Sequence, residues 1–289
     1  MTVPPHSPPG SAGPPATYVY AVCGPDRPAH PGPGPGHPGG GPLRFLAFGS
    51  LRAVVQDVPA DAFSESALRD RLSDPAELER CARTHHEIVT AATAGGPTVP
   101  LPLATLYLGD ERAADALREN HERFRDALAR TAGRAEWAVK VYLTQPAAGT
   151  DRTGPAGTPP AGTGPGDARR PGDGRETGRA YLNRLRGVRQ QRELRQDNAL
   201  AAAEQVDSAV RELAVGAVRR RPHGPEATGQ GRTQVMNAAY LIAEEHSDRL
   251  ASTVGTLRGH PALDGIEIEI SGPWAPYSFT DGGVHAGQP

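Results

Sequence analysis

The sequence predicts an α+β protein of two domains, an N-terminal α/β domain followed by a ferredoxin-like α+β domain with a long helix, ending in an aromatic and proline-rich tail. Three observations lead there. Apolar runs rich in β-branched residues alternate with stretches whose apolar residues recur every three or four positions, so strands and helices are mixed along the chain. The 289 residues include 35 Gly and 30 Pro, bunched into segments that separate the patterned regions, which leaves ordered chain for two modest domains. Finally, aromatics are only 5% of the chain, yet Trp274, Tyr277 and Phe279 fall with Pro273 and Pro276 inside Ser271 to Phe279. Two prolines exclude a helix interior or a central strand there, and the rings must bury over the protein's own core or against a partner.

Taken in order, residues 1–16 are Pro-rich and expected to be disordered. The first domain is expected over 17–134. Thr17 to Cys23 reads as a strand, and 24–42, with fourteen Gly or Pro in nineteen residues, as a flexible loop. Leu43 to Phe48 and Leu51 to Gln56 bracket Gly49-Ser50 as a β-hairpin. Ser64 caps a short helix, with Phe63 and Leu68 as its hydrophobic staple. Asp74-Pro75-Ala76-Glu77 opens another that runs to about Ala94. Val99 to Leu108 is β-prone but interrupted by Pro100 and Pro102, so its first half is an edge or irregular strand. One helix is predicted from Asp110 to Thr131, with Leu117, His121, Phe124 and Leu128 on one face.

The second domain is expected over 135–270. Glu136 to Leu143 alternates as a strand, and 146–175 reads as a disordered linker or loop. Gly178 to about Arg221 reads as one long helix, of which part must project beyond a small domain. After a break at Pro222 to Gly231 come a strand (Gln234 to Ile242), a helix (Glu244 to Arg258) and a strand (Leu263 to Ile270) that alternates Ile with Glu. This order suits a ferredoxin-like sheet with helices on one face. Residues 271–289 form the tail.

Composition excludes several functions. Net charge is −2, and every basic residue but Lys140 is Arg, a bias typical of GC-rich coding rather than of a nucleic-acid binder. Cys23 and Cys81 form neither a disulfide framework nor a CxxC pair. No signal peptide and no membrane-spanning run is legible, so a cytoplasmic protein is expected. Phosphate-loop, nucleophile-elbow and zincin motifs are missing, and no cofactor is implied.

Cys81 and His85 stand i,i+4 on a helix and, with His86 or His121, invite a metal-assisted enzyme reading, but no second half-site has ligand spacing. Core-edge histidines bonded to a neighbouring strand account better for His85 and His121. RNA binding through the Arg-rich long helix is a third possibility.

Several stretches, in this order, resemble the gas vesicle protein F/L family. They are Tyr18-Val19-Tyr20, Leu51 to Pro59, the pair His85-His86 followed by Val99 to Thr105, and Glu136 to Val141. Gly178 to Leu182, Asn237 to Leu241 and the terminal Gly272 to Phe279 complete the series. The family usually has Pro where Ala275 stands and often Arg where Pro102 stands. The resemblance implies a two-domain protein without known catalysis or metal, cytoplasmic or vesicle-associated, that contacts the small hydrophobic shell protein and other accessory proteins. It also marks the tail as a signature and favours an intramolecular clasp on the first domain. Trp274, Pro276, Tyr277, Phe279, His85, His86, Tyr181 and Tyr240 are the candidate clasp or partner-binding residues.

Overall fold

A computed structural model describes residues 15–28, 30–32, 34–144, 173–224 and 232–280. Nearly all of the Pro-rich start and of the 146–175 linker, the later part of the break at Pro222 to Gly231, and residues 281–289 lie outside the described residues.

The first unit is a three-layer sandwich. Strands β1 (Ala16–Cys23), β2 (Arg44–Phe48), β3 (Leu51–Val58) and β4 (Thr98–Pro100) line up in the order β2-β3-β1-β4, with β5 (Leu106–Tyr107) also on β1; every pairing is antiparallel. β1 is buried along its whole length, as expected of a central strand with no charged residue. Its Tyr18 and Tyr20 point to one face, with α1 (Glu65–Ser73) and α2 (Pro75–Ala94), while Val19 and Val22 point to the other, with α3 (Asp110–Glu119) and α4 (His121–Thr131). Ser64 and Asp74 cap α1 and α2 as expected, their side chains accepting from the amides of Ala67 and Ala76 at 3.4 and 2.8 Å. Glu77 reaches Arg80 and Arg71 rather than back to the cap.

One expectation here is corrected. The single helix over Asp110 to Thr131 is two, broken at Asn120, which leaves the helical region (φ −106°, ψ 15°). Val99 to Leu108 begins as the edge strand expected, β4, and the segment between β4 and β5 turns through Ala104 (φ 63°), whose amide donates to the Tyr18 hydroxyl.

The Gly/Pro loop 24–42 is also held rather than free in its second half. Fully buried Gln56 accepts from the Tyr20 hydroxyl (2.6 Å) and the His37 amide (2.8 Å), and its Nε2 donates to the carbonyls of Pro35, His37 and Gly41. A Cβ on Gly36 or Gly40 would stand 2.3 or 2.5 Å from that amide group, so close approach demands glycine at both. Gln56→Ala is expected to cost about 2 kcal/mol, because Tyr20 and the loop amide lose their partners inside the core. Chemical denaturation checks this.

The second unit comprises β6 (Arg134–Thr144), α5 (Asp173–Arg211), β7 (Ala214–Arg220), β8 (Arg232–Ala243), α6 (Ser247–Arg258) and β9 (Ile266–Trp274). The long helix ends at Arg211, not near Arg221. Leu213 and Ala217 keep a helical spacing, but Ala214 to Arg220 pairs with β8 from Ile242 to Asn237, and tertiary pairing overrides propensity. That extra strand completes the βαββαβ order, and the antiparallel sheet runs β7-β8-β6-β9 as a ferredoxin-like fold requires. One face packs Val139, Val141, Tyr240, Ile242 and Ile268 against Val206, Val210, Leu250 and Val254 of α5 and α6. β9 is an edge strand, which is why it can run on through Pro273 to Trp274.

Candidate functional site

The tail lies along the seam between the two units. Gly272 has φ 143°, and a Cβ there would stand 2.9 Å from both the Glu136 carbonyl and the Trp137 ring, so only glycine lets β9 turn this tightly over β6. Beyond it, Ala275 is buried in the first unit's cluster with Tyr18, Tyr20, Ile88 and Val89, and Tyr277 packs on its margin. Small Ala275 therefore fills a core position. The Tyr277 ring lies 6.4 Å from His85 and 6.3 Å from His86, whose ring is 5.3 Å from Trp274. Phe279 turns the other way, onto Val218, Ala239 and Leu241 of the second sheet, while Arg130 of α4 donates to its carbonyl at 3.1 Å. Pro276 lines a polar cleft of about 250 Å³ between the units, beside Thr98, Arg134 and Glu244.

A buried carboxylate fastens this tail. Glu136 accepts from the Ser278 amide and hydroxyl at 2.7 Å each and from Arg220 of β7 at 3.1 Å. Neither Glu136 nor Ala275 is among the clasp candidates that the sequence offers. Glu136 reads as one of the outward-facing charges of an alternating strand, and Ala275 only as a departure from the family's usual Pro.

His85 sits in a closed relay. Its Nε2 faces the Leu101 carbonyl at 3.1 Å and must donate, so Nδ1 accepts from the Tyr18 hydroxyl at 3.0 Å, which in turn accepts from Ala104. Burial lowers His85 to a pKa of about 4 against the pull of the Leu101 carbonyl, and the ring is neutral at pH 7. Both nitrogens are therefore engaged, as the core-edge assignment requires. His121 instead meets Ser50 at 3.0 Å and Glu122 at 3.2 Å on the far side of the sheet, and Cys81 is buried, with Arg71 Nη2 at 3.6 Å from its sulfur. Among the described residues no three His, Cys, Asp or Glu side chains converge as a metal site. The trio Cys81, His85 and His121 is not brought together.

Two other candidates stand apart from the tail. Tyr240 is fully buried beneath α5, donating to Asp207 at 2.5 Å; strand alternation gives its neighbours Ala239 and Leu241, not Tyr240, the face that meets Phe279. Tyr181 is 61% exposed on the projecting half of α5. Trp274 itself is 41% exposed.

This architecture and its seam can be set beside known proteins. The family model described as gas vesicle synthesis protein GvpL/GvpF matches residues 16–281, both units and the tail together. The chain belongs to the GvpL/GvpF family. Gas vesicle protein L of Streptomyces sp. (strain CB03234) is 34% identical over 263 residues, covering 91% of each chain. Gas vesicle protein F of the same strain is 25% identical, over 92% of this chain and all of that one. The crystal structure of GvpF from Anabaena sp. PCC7120 superposes with a TM-score of 0.57 at 15% identity, over 92% of this chain and 96% of that one. GvpF from Microcystis aeruginosa gives 0.54 over 92% and 98%. Those two likenesses carry the fold; the family match carries a role in gas vesicle formation. As a GvpL/GvpF protein, the chain has no helix long and apolar enough to cross a membrane among its described residues.

Proposed function

We propose that this chain is a non-catalytic assembly factor, acting in the cytoplasm or on the vesicle, that binds the small hydrophobic shell protein and other accessory proteins while the shell is built. The family match across residues 16–281 is the observation that carries this. Its physical logic is that a shell subunit exposes apolar surface before it assembles, and a folded partner covering that surface limits aggregation. In this reading the tail is an intramolecular clasp: Ala275 and Tyr277 grip the first unit, and Phe279 and Glu136 hold the second. Trp274, half-exposed against His86, forms the outer rim of that clasp.

The test is co-purification of the purified chain with shell protein and with each accessory protein of the same vesicle system. Retention of shell protein by the wild type is expected, and no association with any of them sinks the proposal. Two variants separate clasp from binding surface. Tyr277→Ala is expected to lower stability by about 2 kcal/mol and Trp274→Ala by about 1 kcal/mol, in proportion to what each ring buries. Unchanged melting with lost shell binding in Trp274→Ala would make that ring a contact instead of a clasp.

A further inference from the structure

We propose that the overhanging half of α5 is a docking site for an acidic amphipathic helix of another protein. Only the last third of α5 lies on the sheet, through Ala199, Ala202, Ala203, Val206 and Val210; every residue from 181 to 198 is exposed. This overhang is about 27 Å long. At 100° per residue Tyr181, Leu185 and Val188 stand in line with Ala199 and Val206, so beyond Arg192 and Arg195 the core-facing direction carries apolar side chains again, with nothing over them. Their exposures are 61%, 47% and 44%. Most helical stability in a protein comes from packing an apolar face, and Gly187 weakens this stretch further, so its apolar face calls for a covering partner. Where the stripe meets the fold, a notch of about 610 Å³ opens between Leu143 and Thr144 of β6, Arg195 and Asn198 of α5, and the loop before β9.

Charge decides what fits. The overhang carries Arg184, Arg186, Arg189, Arg192 and Arg195 against Glu193 and Asp197, a balance of +3 (5 − 2). Arg189 pairs with Glu193; among the described residues Arg184, Arg186, Arg192 and Arg195 have no ion-pair partner. A second copy would bring the same +3 face and be repelled. The chain's own segment 145–172 holds no apolar side chain larger than proline to lay on the stripe. A lipid surface needs an unbroken apolar face, whereas Arg192 and Arg195 flank the stripe's own direction within two turns of Val188. RNA would leave the aliphatic stripe idle, with Tyr181 the one ring for stacking. What matches is a helix with apolar side chains over Tyr181, Leu185 and Val188 and carboxylates toward Arg192 and Arg195, its end at the notch.

The experiment uses the full chain and two fluorescein-labelled synthetic helices with leucines at heptad spacing, one with Glu and one with Lys at the remaining positions. Anisotropy titrations are run beside sedimentation with phosphatidylglycerol vesicles, binding of poly(U), and light scattering for self-association. The Glu helix is expected to bind at least about tenfold more tightly than the Lys helix. The double changes Leu185→Ser/Val188→Ser and Arg192→Glu/Arg195→Glu are each expected to weaken it about tenfold with unchanged melting, because all four residues are exposed. Equal or absent binding of the two helices overturns the proposal. So does retention of vesicles, of poly(U) or of a second copy that the same double changes abolish while Glu-helix binding persists. None of these outcomes depends on whether the shell protein co-purifies.

Discussion

Acidification from pH 7.5 to pH 5 is expected to cost the protein about 4 kcal/mol of stability, through two histidines buried on one face of the first sheet. His37 and His85 each have a pKa of about 4 in the fold, lowered first by burial; His37 is pressed down further by His85 and Arg71, and His85 by His86. Around them stand the Tyr18 and Tyr20 phenols, which burial keeps protonated, and Tyr277 of the tail. The unfolded chain binds a proton at each imidazole below about pH 6.5 while the folded chain refuses it until about pH 4, so stability is complete above 6.5 and lost as pH falls. At pH 5 each histidine has lost about 2 kcal/mol. Carboxylates held low by ion pairs, such as Asp110 beside Arg44 and Glu269 beside Lys140, lose their contribution only below their own unfolded range, so a comparison ending at pH 5 isolates the imidazoles. Urea midpoints at the two pH values measure the loss. His37→Phe keeps the ring stack with Tyr20 and removes an Nε2 that has no partner in the core. It should halve the pH dependence; an unaltered dependence would assign the effect elsewhere.

Much of the architecture was legible because it rests on local rules. A glycine turn between two apolar runs gave β2 and β3, Asp74-Pro75 gave the start of α2, and alternating Ile and Glu gave β9. What escaped was decided by partners distant in sequence. β7 looks helical until β8 is placed beside it, and Asn120 looks like any helix residue until the chain bends there. The Gly/Pro loop looks free because its restraints come from side chains that read as ordinary, Gln56 on β3 and the loop's own Arg27, which donates to the carbonyls of Ala92 and Gly96. At the seam the pattern is the same. Trp274, Tyr277 and the pair His85-His86 are conspicuous residue types and were picked out; that they face one another follows only from the fold. Tyr240 and Tyr181 are candidates only through the stretches that carry the family resemblance, and they belong to a core and to an overhang.

Glu136→Ala is expected to release the tail, at a cost of about 3 kcal/mol. The carboxylate is 4% exposed and joins residues 142 positions apart, taking both the amide and the hydroxyl of Ser278 while also meeting Arg220. Removing it leaves the Ser278 amide without its acceptor and Arg220 with only the Ser278 hydroxyl to donate to at the seam. Arg220 is 44% exposed and recovers some hydration, which places the loss at the lower end for breaking a buried ion pair. Glu136→Gln keeps one acceptor for the Ser278 amide and should lose less than half as much. The consequence is mechanical as well as energetic. Ala275 fills the first unit's core and Phe279 the second sheet, so both are held in register by the one residue between them that is bonded to β6. Freed at Ser278, the segment from Ala275 to Thr280 should exchange its amides at least about tenfold faster, and chymotrypsin should cut after Tyr277 or Phe279 before it cuts within either sheet. If Glu136→Ala lowers the melting temperature while those amides keep their protection, the carboxylate supports β6 alone and the tail is held by its rings.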